Sequence, residues 1–306
     1  MAARKFARGA RPSARHKLAA ATPHRIRGTT PPQFIVIPSQ LSMWLNDVDG
    51  DCVTAEEAFA KAAYAVMLGQ PELFIQDATV QAWATAHGVL NGAELADVLT
   101  WMAQAGFSQG GAVYDDGPAT TVDWTNAAAL QNAISIGPVK IGVAAAQLEN
   151  VPNIGEKNGW FATGFSKDTS EDHCVSLCGY GSLFYLSQQL GVALQAGANG
   201  SLPGYAMFTW DSIGIIDVPS MLAITGEAWL RSPTTEGAGP VPTPTPPVPV
   251  PPLPSPSPQP LFTVNVPSPI QKGRKIELTA PVNVPAGEYG WVSMTGRPGV
   301  PRVPVE

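Results

Sequence analysis

From Pro240 to Pro260 proline occupies nearly every second position, and a segment so poor in backbone N–H donors can join neither a helix interior nor a sheet. It is read as a stiff polyproline II spacer of up to about 60 Å, at roughly 3.1 Å per residue. This one tract divides the chain before any motif is considered. Residues 31–232 are left to build the main core, 233–260 form the linker, and 261–306 stand apart. Alternating runs in the last segment, such as Phe262-Thr263-Val264-Asn265-Val266 and Lys275-Ile276-Glu277-Leu278, predict a small β-rich module that could serve attachment.

Charge is divided as unevenly as proline. Residues 1–45 hold eight Lys and Arg and no Asp or Glu, which leaves 10 basic and 24 acidic residues in the remainder. Residues 1–30 are therefore read as a basic flexible arm, expected to contact a polyanion or an acidic protein surface. The stretch from Lys17 to Ala21 has no apolar core long enough for a secretory signal, and no later run approaches a membrane span. The expectation is a soluble protein, cytoplasmic or virion-associated.

Three cysteines are too few for a disulfide framework in 306 residues. Cys174 and Cys178 fall in an apolar, strand-like run where residues four apart share a face, and buried free thiols are expected there, with a disulfide or metal pair as the alternative. His16, His24 and His87 show no ligand spacing, so no metal or other cofactor is expected. Cys52 has a different setting. It ends the polar loop Asn46-Asp47-Val48-Asp49-Gly50-Asp51 and opens a run of helix formers in which Phe59, Ala62, Ala63 and Val66 recur on one face until Gly69. A helix start favours a thiolate, and its free amide can face a developing oxyanion.

Further helices are predicted over Ala78–Ala86, Gly92–Ala105 and Asn126–Ser135. The chain then turns β-rich, with strands expected at Val139–Ala145, Trp160–Phe165, Cys174–Tyr180, Tyr205–Trp210 and Met221–Thr225, and a helical insert over Phe184–Leu194. Helices first and strands later is an α+β order.

At the start of one predicted strand stands Glu171-Asp172-His173-Cys174, continuing to Gly179-Tyr180-Gly181. With Cys52 on an upstream helix and His173 at a downstream strand, the chain resembles the papain family of cysteine proteases over residues 30–228. The Asp-His pair and Gly-Tyr-Gly match that family, Gly50 falls on a family glycine, and the Asn-Asp-x-x-Gly-Asp-Cys form is similar to compact papain-like proteins of bacterial genomes and prophages. The resemblance implies a two-lobe fold, helical first and antiparallel β second. It also implies a Cys52 nucleophile, a His173 base and an oxyanion donor at Asn46, where the family has the longer glutamine. For the residue that orients the imidazole, Thr209 and Asp211 are both open. Trp160 and Phe161 are candidates either for the cleft wall or for core packing.

The implied reaction is peptide hydrolysis by a thiol protease through a thioester acyl-enzyme, with a peptide or protein as substrate. The alternative is a papain-like structural or attachment protein, a virion or surface component that has lost turnover.

Overall fold

The computed structural model describes residues 6–233; the linker and the C-terminal module expected beyond them lie outside the described residues. The chain begins with β1 (Ala10–Arg11), α1 (Arg15–Ala20) and β2 (Phe34–Ile35). The helical half follows as α2 (Cys52–Met67), α3 (Asp77–Ala86), β3 (Ala93–Glu94) and α4 (Leu95–Met102). A small hairpin, β4 (Phe107–Gln109) and β5 (Ala112–Tyr114), leads to β6 (Asp116–Thr121), α5 (Ala127–Ile136), β7 (Val139–Val143) and β8 (Phe161–Ala162). The remainder is β9 (His173–Ser182), α6 (Leu183–Leu190), β10 (Pro203–Thr209), β11 (Ser212–Asp217), α7 (Val218–Ile224) and β12 (Thr225–Pro233).

The main sheet runs β6-β12-β7-β9-β10-β11-β8, with β2 also paired to β9. It is antiparallel except where β8 lies parallel to β11. Both faces are covered, which explains why its strands read as unbroken apolar runs. On β9 and β10 the side chains alternate between two cores. Cys174, Cys178, Ala206 and Phe208 join the helical half with Phe59, Leu95 and Met102, while Val175, Leu177, Tyr205 and Met207 pack with Leu130, Ile134 and Ile141 on the other side. Cys174 and Cys178 are free, buried thiols.

Several boundaries differ from the sequence expectation for local reasons. Met221 to Ile224 belong to helix α7, not to a strand, because the Asp217 carboxylate accepts the Ser220 N–H and Pro219 sits in the first turn. The strand begins only at Thr225. Helix α4 starts at Leu95 and not at Gly92, since Ala93 and Glu94 are extended and pair with β1. Helix α6 ends at Leu190, where Gly191 adopts a left-handed conformation with φ 67°.

The helix predicted after Cys52 forms, but its burial is not confined to one stripe. Every residue from Cys52 to Tyr64 is buried, Glu56, Glu57 and Lys61 included. These charges are satisfied by the sheet. The Lys140 ammonium on β7 donates to the Val53 carbonyl at 2.8 Å and contacts Glu56 and Glu57 at 2.6 and 2.8 Å. The Arg231 guanidinium on β12 donates to both Glu56 oxygens at 2.7 and 2.8 Å. Lys61 pairs with Asp116 on β6 and donates to the Asp115 carbonyl at 2.9 Å. Burial alone would raise the Glu57 carboxyl, but the charges of Arg231 and Lys140 outweigh it and hold the group at about 2. Helix α2 is thereby fixed in height and rotation against three strands, and Cys52 with it.

Breaking this cluster from one side leaves a buried charge without its partner. Lys140→Met is expected to lower stability by about 3–5 kcal/mol, measured as a fall in the urea midpoint at unchanged m-value.

Candidate active site

Two turns with non-glycine residues in left-handed conformations frame the site. In the first, Trp44 and Leu45 have φ 45° and 69°. The Trp44 indole is fully buried, donates to the Ile75 carbonyl at 2.7 Å and packs against Phe74 and Phe208, which anchors the loop that carries Asn46 to Cys52. Here the Asn46 amide donates to the Asp49 carbonyl at 3.1 Å, closing the loop on itself. Asp51 stands at the N-cap position of α2 without a side-chain capping hydrogen bond, and desolvation, with the nearby charge of Asp49, pushes its buried carboxyl up to about 7.

Cys52 is the first residue of α2, and its sulfur lies near the backbone N–H of Cys174. His173 directly precedes Cys174 on β9, so the thiol lies near the start of the strand that carries the imidazole, but no hydrogen bond joins the two side chains. His173 Nε2 lies 2.8 Å from the Thr209 hydroxyl, and its ring stacks on Trp210 at 4.1 Å. Among the described residues His173 Nδ1 has no hydrogen-bond partner.

The second strained turn explains this arrangement. Thr209 pairs with Ser212 across β10 and β11, so Trp210 and Asp211 are the two central residues, with φ 43° and 65°. Such a turn ordinarily takes Asn-Gly, and bulky residues at positive φ store strain that the surroundings must hold. Ser212 does so: its hydroxyl donates to the Thr209 carbonyl at 2.9 Å and accepts from the Trp160 indole at 3.0 Å and the Gly155 N–H at 3.1 Å. Trp160 is therefore a core residue, and Phe161 is buried on β8. Of the two residues considered for orienting the imidazole, Thr209 makes the hydrogen bond to Nε2 and Asp211 occupies the turn.

No family model and no curated protein matches the chain. Solved structures do. Xylellain, a cysteine protease from Xylella fastidiosa, aligns with a TM-score of 0.51 at 12% identity, over 76% of this chain and 98% of that one. A procathepsin B from Trypanosoma congolense aligns with a TM-score of 0.50 at 11% identity, over 76% and 88%. The fold is that of papain-like cysteine proteases. A third match, the proform of the ragweed pollen allergen Amb a 11, has a TM-score of 0.49 at 11% identity and covers 67% of this chain and 66% of the ragweed chain.

On this papain-like scaffold the basic N-terminal segment, expected as a flexible arm, is laid across the site. Phe6 stacks on Trp210 at 4.5 Å. Ala7 N–H donates to the Asn46 carbonyl at 2.9 Å, Ala10 N–H to the Asp172 carbonyl at 3.1 Å, and Ala93 N–H to the Gly9 carbonyl at 2.8 Å. The backbone amides of Gly9 and Ala10 also lie near the Cys52 sulfur. Three glycines make the passage possible: a Cβ on Gly9 would overlap the Gly50 carbonyl, one on Gly92 the Gly9 carbonyl, and one on Gly50 would press on the Arg8 carbonyl. Farther along, Ser13 N–H donates to Glu227 at 2.9 Å, and Lys17 pairs with Glu94 and Asp97. These strap residues were not legible as site residues; the only local signal was a glycine between two arginines.

With the strap in place Cys52 and His173 are 2% and 1% exposed. Desolvation pushes the thiol up to about 12, and desolvation together with the charge of Arg8 brings the imidazole down to about 3. Both groups are held uncharged. In the unfolded chain an imidazole takes up its proton near 6.5, whereas the buried one does so only near 3, so acid favours the unfolded state through this group. Between pH 7 and 4.5 it is expected to cost about 2–3 kcal/mol, measured as the extra acid sensitivity of the urea midpoint relative to His173→Asn. Displacing the strap with Gly9→Val is expected to raise the alkylation rate of Cys52 by iodoacetamide at pH 6 by at least about tenfold over the wild-type chain.

Proposed function

We propose that the protein is a papain-like cysteine peptidase whose site is covered by its own N-terminal strap. The observation that carries this reading is the approach of a helix-opening cysteine to the strand that a histidine opens, with the imidazole held by Thr209 and Trp210. With Thr209 accepting from Nε2–H, Nδ1 keeps a lone pair to take the thiol proton. The thiolate then attacks the peptide carbonyl carbon, and the Cys52 amide at the helix start faces the oxyanion. The imidazolium returns its proton to the leaving amine, and water activated by the same imidazole hydrolyses the thioester to acid and free thiol. Asn46 serves as second oxyanion donor if its amide turns from the Asp49 carbonyl when the strap leaves.

A second reading, a papain-like structural protein without turnover, draws on one observation: the sulfur lies near amide N–H groups, and among the described residues the imidazole Nδ1 has no partner. Removing the strap separates the two. The Gly9→Val chain is expected to hydrolyse casein, and adding Cys52→Ala or His173→Ala is expected to reduce the rate by roughly 10³-fold or more. Thr209→Val is expected to lower kcat more than it raises KM. A Gly9→Val chain with an alkylatable Cys52 and no detectable casein or peptide turnover would leave the structural reading standing.

A further inference from the structure

The strap reports what the cleft accepts. Arg8 leaves it sideways into a pair of carboxylates: Nε donates to Glu149 at 2.7 Å, a terminal nitrogen meets the second Glu149 oxygen at 2.5 Å, and the other donates to Asp172 at 2.6 Å. This bidentate grip with a third contact matches the planar fork of a guanidinium better than an ammonium. One of the two carboxylates is also held from within the fold. The other Asp172 oxygen accepts the Ala145 N–H at 2.9 Å, and Glu149 sits on the short helical turn Leu148–Asn150. Asp172 adjoins His173 in sequence, and its backbone carbonyl takes the N–H of Ala10, so one residue holds the peptide backbone and the side chain together. The charge of Arg8 also reaches the buried His173 imidazole.

Two neighbouring constraints extend the pattern. The residue after the arginine passes Gly50 with no room for a Cβ, and two positions before it an aromatic ring covers Trp210. The backbone amides of Gly9 and Ala10 lie near the sulfur. When the strap leaves, Glu149 and Asp172 lose their cation.

We infer that the Glu149–Asp172 pair is a specificity site for an arginine side chain, and that the cleft takes peptides in which arginine is followed by a residue as small as glycine. This deepens the proposed peptidase function, but the binding it describes does not depend on turnover.

The test uses the full chain carrying Cys52→Ala and Gly9→Val, with folding checked by circular dichroism. Arg8→Glu, which sets a carboxylate against the clamp, serves as the second way to displace the strap should Gly9→Val fail to fold. Fluorescence anisotropy is measured with a labelled peptide of residues 5–12 and with the same peptide bearing alanine or lysine for arginine at position 8. The arginine peptide is expected to bind about tenfold tighter than the alanine peptide, with lysine between them, and Glu149→Gln is expected to erase most of the difference. Equal affinity for the arginine and alanine peptides, or discrimination untouched by Glu149→Gln, would overturn the inference. In the Gly9→Val chain with Cys52 intact, cleavage sites in a random peptide pool mapped by mass spectrometry are expected to cluster beside arginine. Arginine-selective binding without any cleavage would sustain the clamp and overturn the peptidase reading instead.

Discussion

The buried cluster of Glu56, Glu57, Lys140 and Arg231 is the constraint on which the geometry of this protein depends. Charges in a low-dielectric interior tolerate little displacement, because each must stay within hydrogen-bonding reach of its partners or bear the cost of desolvation alone. Lys140 holds the Val53 carbonyl as well as both carboxylates, so the ion cluster grips the first turn of α2 itself. An apolar interface would allow the helix to slide or turn by small amounts. Here such a movement would strip partners from three charged groups, and Cys52 one residue before Val53 is held accordingly.

The histidine is fixed by a different kind of force. Trp210 and Asp211 are kept at positive φ by the Ser212 hydroxyl, whose hydrogen bonds reach Thr209, Trp160 and Gly155. The strain places an indole flat on the imidazole and leaves Thr209 at the last paired position of β10, within 2.8 Å of Nε2. An electrostatic lock on the helix and a strained hairpin on the sheet thus border the region that the N-terminal strap crosses. The strap closes that region with a third device, the absence of side chains at Gly9, Gly50 and Gly92, which lets two backbones approach more closely than any Cβ permits.

Much of this was visible in local pattern. The helix opened by Cys52, the strand opened by His173 and the α+β order follow from residue type, spacing and turn chemistry, which act over a few residues. The choice between Thr209 and Asp211 did not. Thr-Trp-Asp-Ser reads equally well with either polar residue facing the histidine, and the pairing of Thr209 with Ser212 places the tryptophan and the aspartate in the turn. Met221 to Ile224 was read as strand because an apolar run of that length carries no periodicity to tell helix from sheet; the Asp217 cap decided it.

By itself the sequence determined the fold class and placed a cysteine at a helix start and a histidine at a strand start, because those depend on local propensity and on motifs contiguous in the chain. Tertiary structure alone decided that Arg8 meets Asp172, 164 residues away, and that the basic arm lies in the cleft. Complementary charge indicated that the arm could seek an acidic surface. Only the folded arrangement of three glycines, a carboxylate pair and an indole face turned that general attraction into one register, since shape and the geometry of hydrogen bonds are properties of residues brought together and are carried by none of them singly.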